Sequence, residues 1–361
     1  MIKKHCFSEE WINEFRKEKK YAKINPPVLE KMINALSLLQ HLVKNNLEFV
    51  FKGGTSLILL LDDANRFSVD IDILTEQSRK EIESIFNKVV ENSRFLNWQL
   101  DEHRSYKTGI LKAHYKFEFN SAFSKQTNTI LLDILFEKSN YPRLQSLPII
   151  TSWIESDEEI FVTLPTVESI IGDKLTAFAP NTTGILFKSG KELEIIKQLY
   201  DISKLFDKVE NVKVVNESFR IFAKQEIAYR GLNISSNEIL NDILSAARLI
   251  SLRERNKTEP AKSQFKEIQT GVRSFTNFLI SGNFRIDDAI NASAKAAYLA
   301  AKLKKNDLTS IEKFSNQDIS KLEITTPDWN YLNKLKKLPD KTGFFYWFKT
   351  IELLEKNSAH S

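Results

Sequence analysis

The chain has 361 residues, of which 42% are hydrophobic and 27% charged, and its formal net charge is +5. This length allows two domains with a sizeable core, and the composition is that of a globular protein rather than a disordered one. The single cysteine, Cys6, excludes an internal disulfide framework, and the five histidines lack the spacing of a zinc site.

Neither a signal peptide nor a membrane segment is expected. No apolar run approaches the ~20 residues that cross a bilayer, and the N-terminus leads into charged residues rather than an apolar stretch. We therefore expect a cytoplasmic protein without a membrane partner. Its mild positive charge is a weak indication of a polyanionic partner.

The first predicted elements are helices over residues 1–46. Pro26 and Pro27 open the longer of them, in which apolar residues recur at helical spacing from Leu29 to Leu42. This segment is expected to cover one face of a sheet that begins near Leu47.

A strand-like run, Phe49–Phe51, then leads through Gly53 and Gly54 into a helix-like run at Leu57–Leu61. Glycine lets the backbone approach a ligand closely, and the N–H groups at a helix N-terminus attract phosphate. The hydroxyl of Ser56, in the first turn, is a further candidate hydrogen-bond donor to a phosphate oxygen. This stretch is therefore predicted to bind phosphate.

Residues 66–73 alternate strictly between polar and apolar side chains, which predicts a strand with Arg66, Ser68, Asp70 and Asp72 on one face. The backbones of the two aspartates lie roughly 7 Å apart in a strand. As bare like charges their carboxylates repel, and a divalent cation such as Mg²⁺ removes that penalty. The alternative is a surface hairpin whose polar face is only solvated.

Further strands are predicted at 98–100, 110–119 and 129–137, after a helix at 78–92. The last strand is apolar apart from its ends and Asp133, and a buried aspartate needs a partner. A neighbouring strand that carries Asp70 and Asp72 around a metal ion would supply one. The alternative is a strand-end Asp133 that reaches water or caps a turn; Glu137, on the same face, is a weaker metal-ligand candidate.

The helix predicted at 167–179 has a core-facing apolar stripe that Lys174 interrupts. A lysine at such a position must reach solvent, form an ion pair or take part in chemistry, for example by binding a triphosphate oxygen. In the following helix, Lys197 and Asp201 have the i, i+4 spacing of an exposed ion pair, which is the alternative to a functional role for Asp201.

From about Asn211 the pattern is helical almost throughout, which predicts a helical C-terminal domain. Six basic residues between Arg253 and Arg273 form a belt with Phe265 and Phe275 interleaved. The belt suits RNA binding with aromatic stacking on bases, and the alternative is that both phenylalanines belong to the core.

The sequence Lys52-Gly53-Gly54-Thr55-Ser56-Leu57, followed by Arg66-Phe67-Ser68-x-Asp70-Ile71-Asp72, resembles the signature of the AbiEii/MenT-type nucleotidyltransferase toxins. Asp173-Lys174-Leu175-x-Ala177 and Lys197-Gln-Leu-Tyr-Asp201-Ile resemble two later motifs of that family. The resemblance implies an α+β fold of the DNA polymerase β-like superfamily. In such a fold a minimal nucleotidyltransferase mixed β-sheet is flanked by helices, here with a helical C-terminal domain.

The domains implied are 1–207, with N-terminal helices at 1–46 and the catalytic sheet and helices at 47–207, and a helical domain at 208–361. The resemblance implies catalytic roles for Asp70, Asp72, Lys174 and Asp201, and metal binding by Asp70, Asp72 and Asp133. It implies nucleotide binding by Lys52, Gly53, Gly54, Thr55, Ser56, Arg66, Ser68, Lys188 and Lys191. The cofactor implied is Mg²⁺ or Mn²⁺, with an NTP as substrate.

The resemblance further implies transfer of an NMP to an acceptor such as the tRNA 3′ end, by the toxin of a bacterial type IV (AbiE-like) toxin–antitoxin or abortive-infection system. A cognate AbiEi-like antitoxin is the expected protein partner. Two alternatives remain open from the sequence. One is a phosphotransferase that moves the γ-phosphate to a protein or small molecule, and the other is a non-catalytic nucleotide- or RNA-binding module.

Overall fold

A computed structural model describes residues 1–61, 66–105 and 111–355. The chain divides into two compact units. Unit 1 comprises Met1–Thr166 and Asn277–Gly282, and unit 2 comprises Val167–Thr276 and the described residues from Asn283 onward. The domain boundary predicted after residue 207 stays a prediction, whereas this division assigns the helices that carry Lys174 and Asp201 to unit 2.

Unit 1 contains a five-stranded mixed sheet, a separate two-stranded hairpin and flanking helices. Its α-helices are α1 (Glu9–Phe15), α2 (Pro26–Lys44), α3 (Gly53–Leu60), α4 (Arg79–Glu91) and α5 (Glu102–Ser105). Its strands are β1 (Val50–Lys52), β2 (Ile71–Leu74), β3 (Phe95–Leu100), β4 (Lys112–Asn120), β5 (Thr127–Leu135), β6 (Leu144–Pro148) and β7 (Phe161–Pro165). The observed mixed sheet with flanking helices confirms the predicted fold class.

The strand order of the large sheet is β1-β2-β5-β4-β3, with β6 and β7 forming the hairpin. Strands β2 and β5 are parallel, and the other neighbours in the large sheet are antiparallel. One face is apolar: Ala113, Tyr115, Phe117 and Phe119 alternate along β4 and are buried in a core that includes residues of α2 and α4. The alternation leaves the opposite face to polar side chains.

The catalytic strand is shorter than predicted. Strand β2 begins at Ile71, and residues 67–70 precede it without strand pairing. Arg66 instead forms an isolated bridge with Leu279, and the Phe67 N–H donates to the Phe278 carbonyl at 2.8 Å. The backbone groups of residues 66 and 67 are therefore satisfied by a segment more than two hundred residues away in sequence, which alternation alone does not reveal. Ile110, predicted to begin β4, lies outside the described residues.

Unit 2 is helical, as predicted for the C-terminal region. Its α-helices are α6 (Val167–Ala177), α7 (Glu192–Phe206), α8 (Val212–Arg230), α9 (Ser236–Leu252), α10 (Glu259–Phe275), α11 (Ile286–Lys304) and α12 (Thr342–Glu355). Phe265 and Phe275 are 4% and 0% exposed, which confirms the core alternative and leaves neither ring available to stack on a base. Among the described residues, no helix has both the length and the apolar character needed to cross a membrane.

Candidate active site

Strand register aligns four polar residues across the sheet of unit 1. Lys52 on β1 pairs with Asp72 on β2, Asp72 with Asp133 on β5, and Asp133 with His114 on β4. Residues directly opposite each other project to the same face, and neighbouring strands lie about 4.8 Å apart. We call Lys52, Asp72, Asp133 and His114 the polar row. It brings two of the predicted metal ligands side by side.

Asp133 has the partner that its position in an apolar strand requires. Its Oδ1 lies 2.6 Å from His114 Nδ1, and the two side chains are 23% and 14% exposed. The sequence reasoning placed Asp133 beside the strand of Asp72 but missed His114. The signal for His114 was present, because it is the polar residue between Ala113 and Tyr115, two core residues of an alternating strand.

Gly53 begins α3 directly against the Asp72 carboxylate. Its φ is +77°, and a Cβ there would lie 2.1 Å from Asp72 Oδ2. Only glycine satisfies both conditions, because the positive φ disfavours other residues and the carboxylate occupies the side-chain position. A carboxylate at a helix N-terminus is also favoured by the helix dipole. The two motifs, Lys52–Leu57 and Arg66–Asp72, are therefore in direct contact.

Gly54 lies against Arg66 and Ser68 in the way that Gly53 lies against Asp72. A Cβ on Gly54 would lie 2.7 Å from Arg66 Nη2 and 2.9 Å from Ser68 Oγ. Arg66 is 7% exposed, and its Nη1 donates to the carbonyl of Phe67 at 3.1 Å. The structure thus brings Gly54, Arg66 and Ser68 together, as the predicted nucleotide-binding group requires.

Thr55 and Ser56 are fully buried, and their hydroxyls bind the backbone of neighbouring site residues. Thr55 Oγ1 donates to the Asp70 carbonyl at 2.5 Å, and Ser56 Oγ donates to the Gly53 carbonyl at 2.9 Å. This placement differs from the predicted donation by Ser56 to phosphate. The Thr55 hydroxyl joins the glycine motif to the segment of Asp70, whereas the Ser56 hydroxyl stabilises the first turn of α3. Asp70 itself is exposed just before β2.

The donor set of unit 1 fits a hard divalent cation bound together with substrate. Within residues 1–61, 66–105 and 111–355, no three Asp, Glu, His or Cys side chains converge to hold a metal ion. The three predicted ligands therefore do not form one three-carboxylate cluster. Mg²⁺ is commonly held by one or two carboxylates plus waters and substrate phosphates. The register-paired Asp72 and Asp133, with Asp70 two residues before Asp72, suit that mode.

In unit 2, Lys174 on α6 is bound by two side chains of α7. Its Nζ lies 2.8 Å from Asp201 Oδ2 and 3.1 Å from Gln198 Oε1, and the side chains of Lys174 and Asp201 are 7% and 2% exposed. Asp201 is buried rather than exposed, in contrast to the exposed ion pair that the i, i+4 spacing suggests, and Lys197 binds Glu194 at 2.8 Å. Sequence reasoning missed Gln198.

Lys188 and Lys191 are exposed in the turn before α7. Lys188 has a φ of +63°, and its N–H donates to Glu267 Oε2 at 2.7 Å. Lys191 is the N-cap residue of α7. Both ammonium groups can therefore reach an anionic ligand in solvent.

The loop before these lysines is fixed to α9 by one buried carboxylate. Asp242 accepts hydrogen bonds from the Asn181 N–H at 2.8 Å, from Asn181 Nδ2 at 2.6 Å and from Thr182 Oγ1 at 2.8 Å. Burial raises the pKa of Asp242, and these hydrogen bonds oppose that rise.

Comparison with known proteins gives one strong match. The model of the family described as "Nucleotidyl transferase AbiEii toxin, Type IV TA system" matches residues 37–331. No curated protein shows significant sequence similarity to the chain. The crystal structure of JHP933 from Helicobacter pylori is 15% identical, with a TM-score of 0.44, and the match covers 77% of this chain and 95% of that one.

A candidate nucleotidyltransferase from H. pylori is 16% identical, with a TM-score of 0.33, and the match covers 68% of this chain and 94% of that one. With TM-scores below 0.5, neither of the two structural likenesses supports a functional assignment.

Proposed function

The chain belongs to the AbiEii family of nucleotidyltransferase toxins of type IV toxin–antitoxin systems, and we propose that it transfers an NMP from an NTP to the 3′ end of tRNA. The observation that carries the proposal is the contact between the two motifs. Gly53, at the start of α3, lies against the Asp72 carboxylate, and Asp72 is paired in register with Asp133. A phosphate-binding turn and a pair of metal-binding carboxylates are the two parts that this reaction needs.

Asp70, Asp72 and Asp133 are the proposed holders of Mg²⁺ or Mn²⁺. Held by these carboxylates, such a cation would supply Lewis-acid stabilisation of the negative charge that develops on the reacting phosphoryl group. The N–H groups of Gly53 and Gly54, in the first turn of α3, are proposed to bind the β- and γ-phosphates, as helix N-termini commonly do.

Cationic side chains complete the proposed nucleotide site. Lys52 opposes Asp72 across the β1–β2 pair, and Arg66 with Ser68 flanks Gly54. Thr55 and Ser56 support the site through the backbone contacts of Asp70 and Gly53. The exposed Lys188 and Lys191 are proposed to bind phosphate of the nucleotide or of the acceptor.

Lys174 is proposed to neutralise developing charge on the reacting phosphoryl group, and Asp201 to orient Lys174. Support comes from the buried contact itself, in which Asp201 and Gln198 hold the ammonium in one position. A preorganised cation of this kind needs no rearrangement as charge develops.

The biological setting that we propose is arrest of translation by modified tRNA, with neutralisation by a cognate AbiEi-like antitoxin and a role in abortive infection. The family membership supports a toxin with an antitoxin partner. The net charge of +5 suits a polyanionic acceptor.

The acceptor can be tested with purified protein, Mg²⁺, total tRNA and each of the four α-³²P-labelled NTPs. We expect tRNA to be labelled from at least one NTP. As a control, periodate oxidation of the terminal ribose should abolish labelling, because it destroys the 3′-hydroxyl acceptor. Equal labelling of oxidised tRNA would contradict transfer to the 3′ end, and labelled protein without labelled RNA would make the acceptor a protein.

A further inference from the structure

His114 is a titratable side chain of the polar row that none of the family motifs includes. Its imidazole lies 2.6 Å from Asp133 through Nδ1, on the strand next to β5. We propose that His114 is a positioning residue that orients the Asp133 carboxylate for divalent-cation binding. The inference rests on the proposed function, since it assigns the task of one residue within that site.

The backbone of His114 is fixed from both sides, so its imidazole starts from a defined position. Its N–H donates to Ser105 Oγ at 3.0 Å, and its carbonyl accepts from the Asp101 N–H at 2.7 Å. Lys116, two residues further along the same strand face, pairs with Asp101 at 2.9 Å. On this face of β4, His114 therefore contacts Asp133, whereas Lys116 pairs with Asp101.

The contact between His114 and Asp133 indicates which ring nitrogen of His114 is the hydrogen-bond donor. A carboxylate only accepts hydrogen bonds, so Nδ1 carries the proton that is shared with Asp133 Oδ1. The other nitrogen, Nε2, is buried and has no hydrogen-bond partner among the described residues. A buried polar atom without a partner costs free energy. Because Nδ1 binds Asp133 and Nε2 binds no group among the described residues, Nδ1 is the nitrogen through which His114 orients Asp133.

Holding one oxygen of a carboxylate determines the direction in which its second oxygen points. Groups that bind metal ligands in this way contribute about 10- to 100-fold to metal affinity or activity. Asp133 stands beside Asp72 in register, so a rotated Asp133 carboxylate would lose the shared cation even though both aspartates remain.

Substitution of His114 by Asn or by Gln distinguishes the role of Nδ1 from that of Nε2. The amide nitrogen of Asn reaches about the position of Nδ1, and that of Gln about the position of Nε2. We would compare His114→Asn, His114→Gln and His114→Ala with His103→Asn, a matched control at an exposed histidine of α5. The first readout is Mn²⁺ binding measured by electron paramagnetic resonance without nucleotide, and the second is the Mg²⁺ concentration needed for half-maximal transfer.

His114→Asn and His103→Asn should bind Mn²⁺ within about threefold of the original protein. His114→Gln and His114→Ala should bind about 10- to 100-fold more weakly. Unchanged binding by the Gln and Ala variants would overturn the proposal, and so would rescue by Gln rather than Asn, which would make Nε2 the working atom. If Ala prevents folding, the comparison of Asn with Gln decides, since both keep a polar side chain.

The two readouts separate this proposal from the proposed function. A protein that transfers no nucleotide but shows the expected order of Mn²⁺ affinities would disprove the transfer reaction and leave the role of His114 standing. Transfer by the original protein, together with equal Mn²⁺ affinities of all the variants, would support the transfer reaction and disprove the role of His114.

Discussion

Gly53 is the residue at which the constraints on this site are most severe. Its positive φ excludes most side chains by backbone strain, and the Asp72 carboxylate excludes them by contact. From the sequence we predict a role for this glycine in the close approach of phosphate, but the sequence does not reveal its contact with Asp72. A contact with a residue nineteen positions later depends on the pairing of β1 with β2.

Gly53→Ala should abolish nucleotide transfer, because the new methyl group must displace Asp72 Oδ2. Gly231→Ala is the matched control, since Gly231, the residue that follows α8, has a φ of +61° with open space around its Cβ position. The control should lose about 1–3 kcal/mol of stability through backbone strain and keep its activity. Urea unfolding and a transfer assay measure both. Full activity of Gly53→Ala would show that Asp72 tolerates displacement.

Lys174 and Asp201 form a buried ion pair, and such pairs are sensitive to the loss of one partner. Lys174→Met should cost about 3–5 kcal/mol of unfolding free energy, because Asp201 keeps a buried charge without its cation. The double variant Lys174→Met/Asp201→Leu should recover most of that stability and remain inactive. Urea unfolding of the single and double variants completes the cycle. Recovered activity in the double variant would exclude Lys174 from the chemistry.

At the scale of elements, the helices were predicted well, and so was the pairing of the strands that carry Asp72 and Asp133, but the full strand order was not. Helix α4 begins after Ser78 as expected, since apolar spacing and a capping box mark it locally. The predicted length of strand β2 was too great because Arg66 and Phe67 pair with residues 278 and 279 instead. The polar row, and with it His114, depends on the order β1-β2-β5-β4. Such an order is a tertiary property that local alternation does not contain.

The capping box of α4 gives a pH-dependent prediction. Hydrogen bonds from the hydroxyl and N–H of Ser78 lower the pKa of Glu81 below its ordinary value of 4.5. A carboxyl whose folded pKa is lowered stabilises the fold above its unfolded pKa, and this contribution disappears as pH falls through the folded pKa.

Glu81→Gln should therefore be less stable than the original protein near neutral pH and equal to it in acid, below the lowered pKa. Urea unfolding across this pH range measures the difference. Glu91→Gln, at the opposite end of α4, controls for the loss of one negative charge. A stability difference that is independent of pH would show that the carboxylate of Glu81 does not cap the helix.

At the scale of the whole molecule, residues 277–282 are the part of the chain that the sequence least revealed. They belong to unit 1 although the residues on either side belong to unit 2. Ile280 is 1% exposed and lies in the hydrophobic core of unit 1, and its neighbours bind residues 66 and 67. The motifs at Lys52–Leu57 and Arg66–Asp72 indicated the family, but no local feature of the sequence predicts that residues 277–282 belong to unit 1.

Ile280→Ala should lower the unfolding free energy by about 2–5 kcal/mol, the usual cost of a large cavity in a core. Ile150→Ala, at an isoleucine that is 49% exposed, should change it by less than about 0.5 kcal/mol. Urea unfolding measures both variants. Equal effects would mean that the segment contributes little to the core of unit 1.

The central claim is that the carboxylates beside the glycine turn support nucleotidyl transfer rather than phosphoryl transfer. The most direct measurement follows α-³²P and γ-³²P labels from the preferred NTP in parallel, with the original protein, Asp72→Asn and the exposed control Asp157→Asn. We expect α-label on the acceptor and γ-label in released pyrophosphate, with both signals lost only in Asp72→Asn. Transfer of γ-label to the acceptor, or full activity of Asp72→Asn, would contradict this claim.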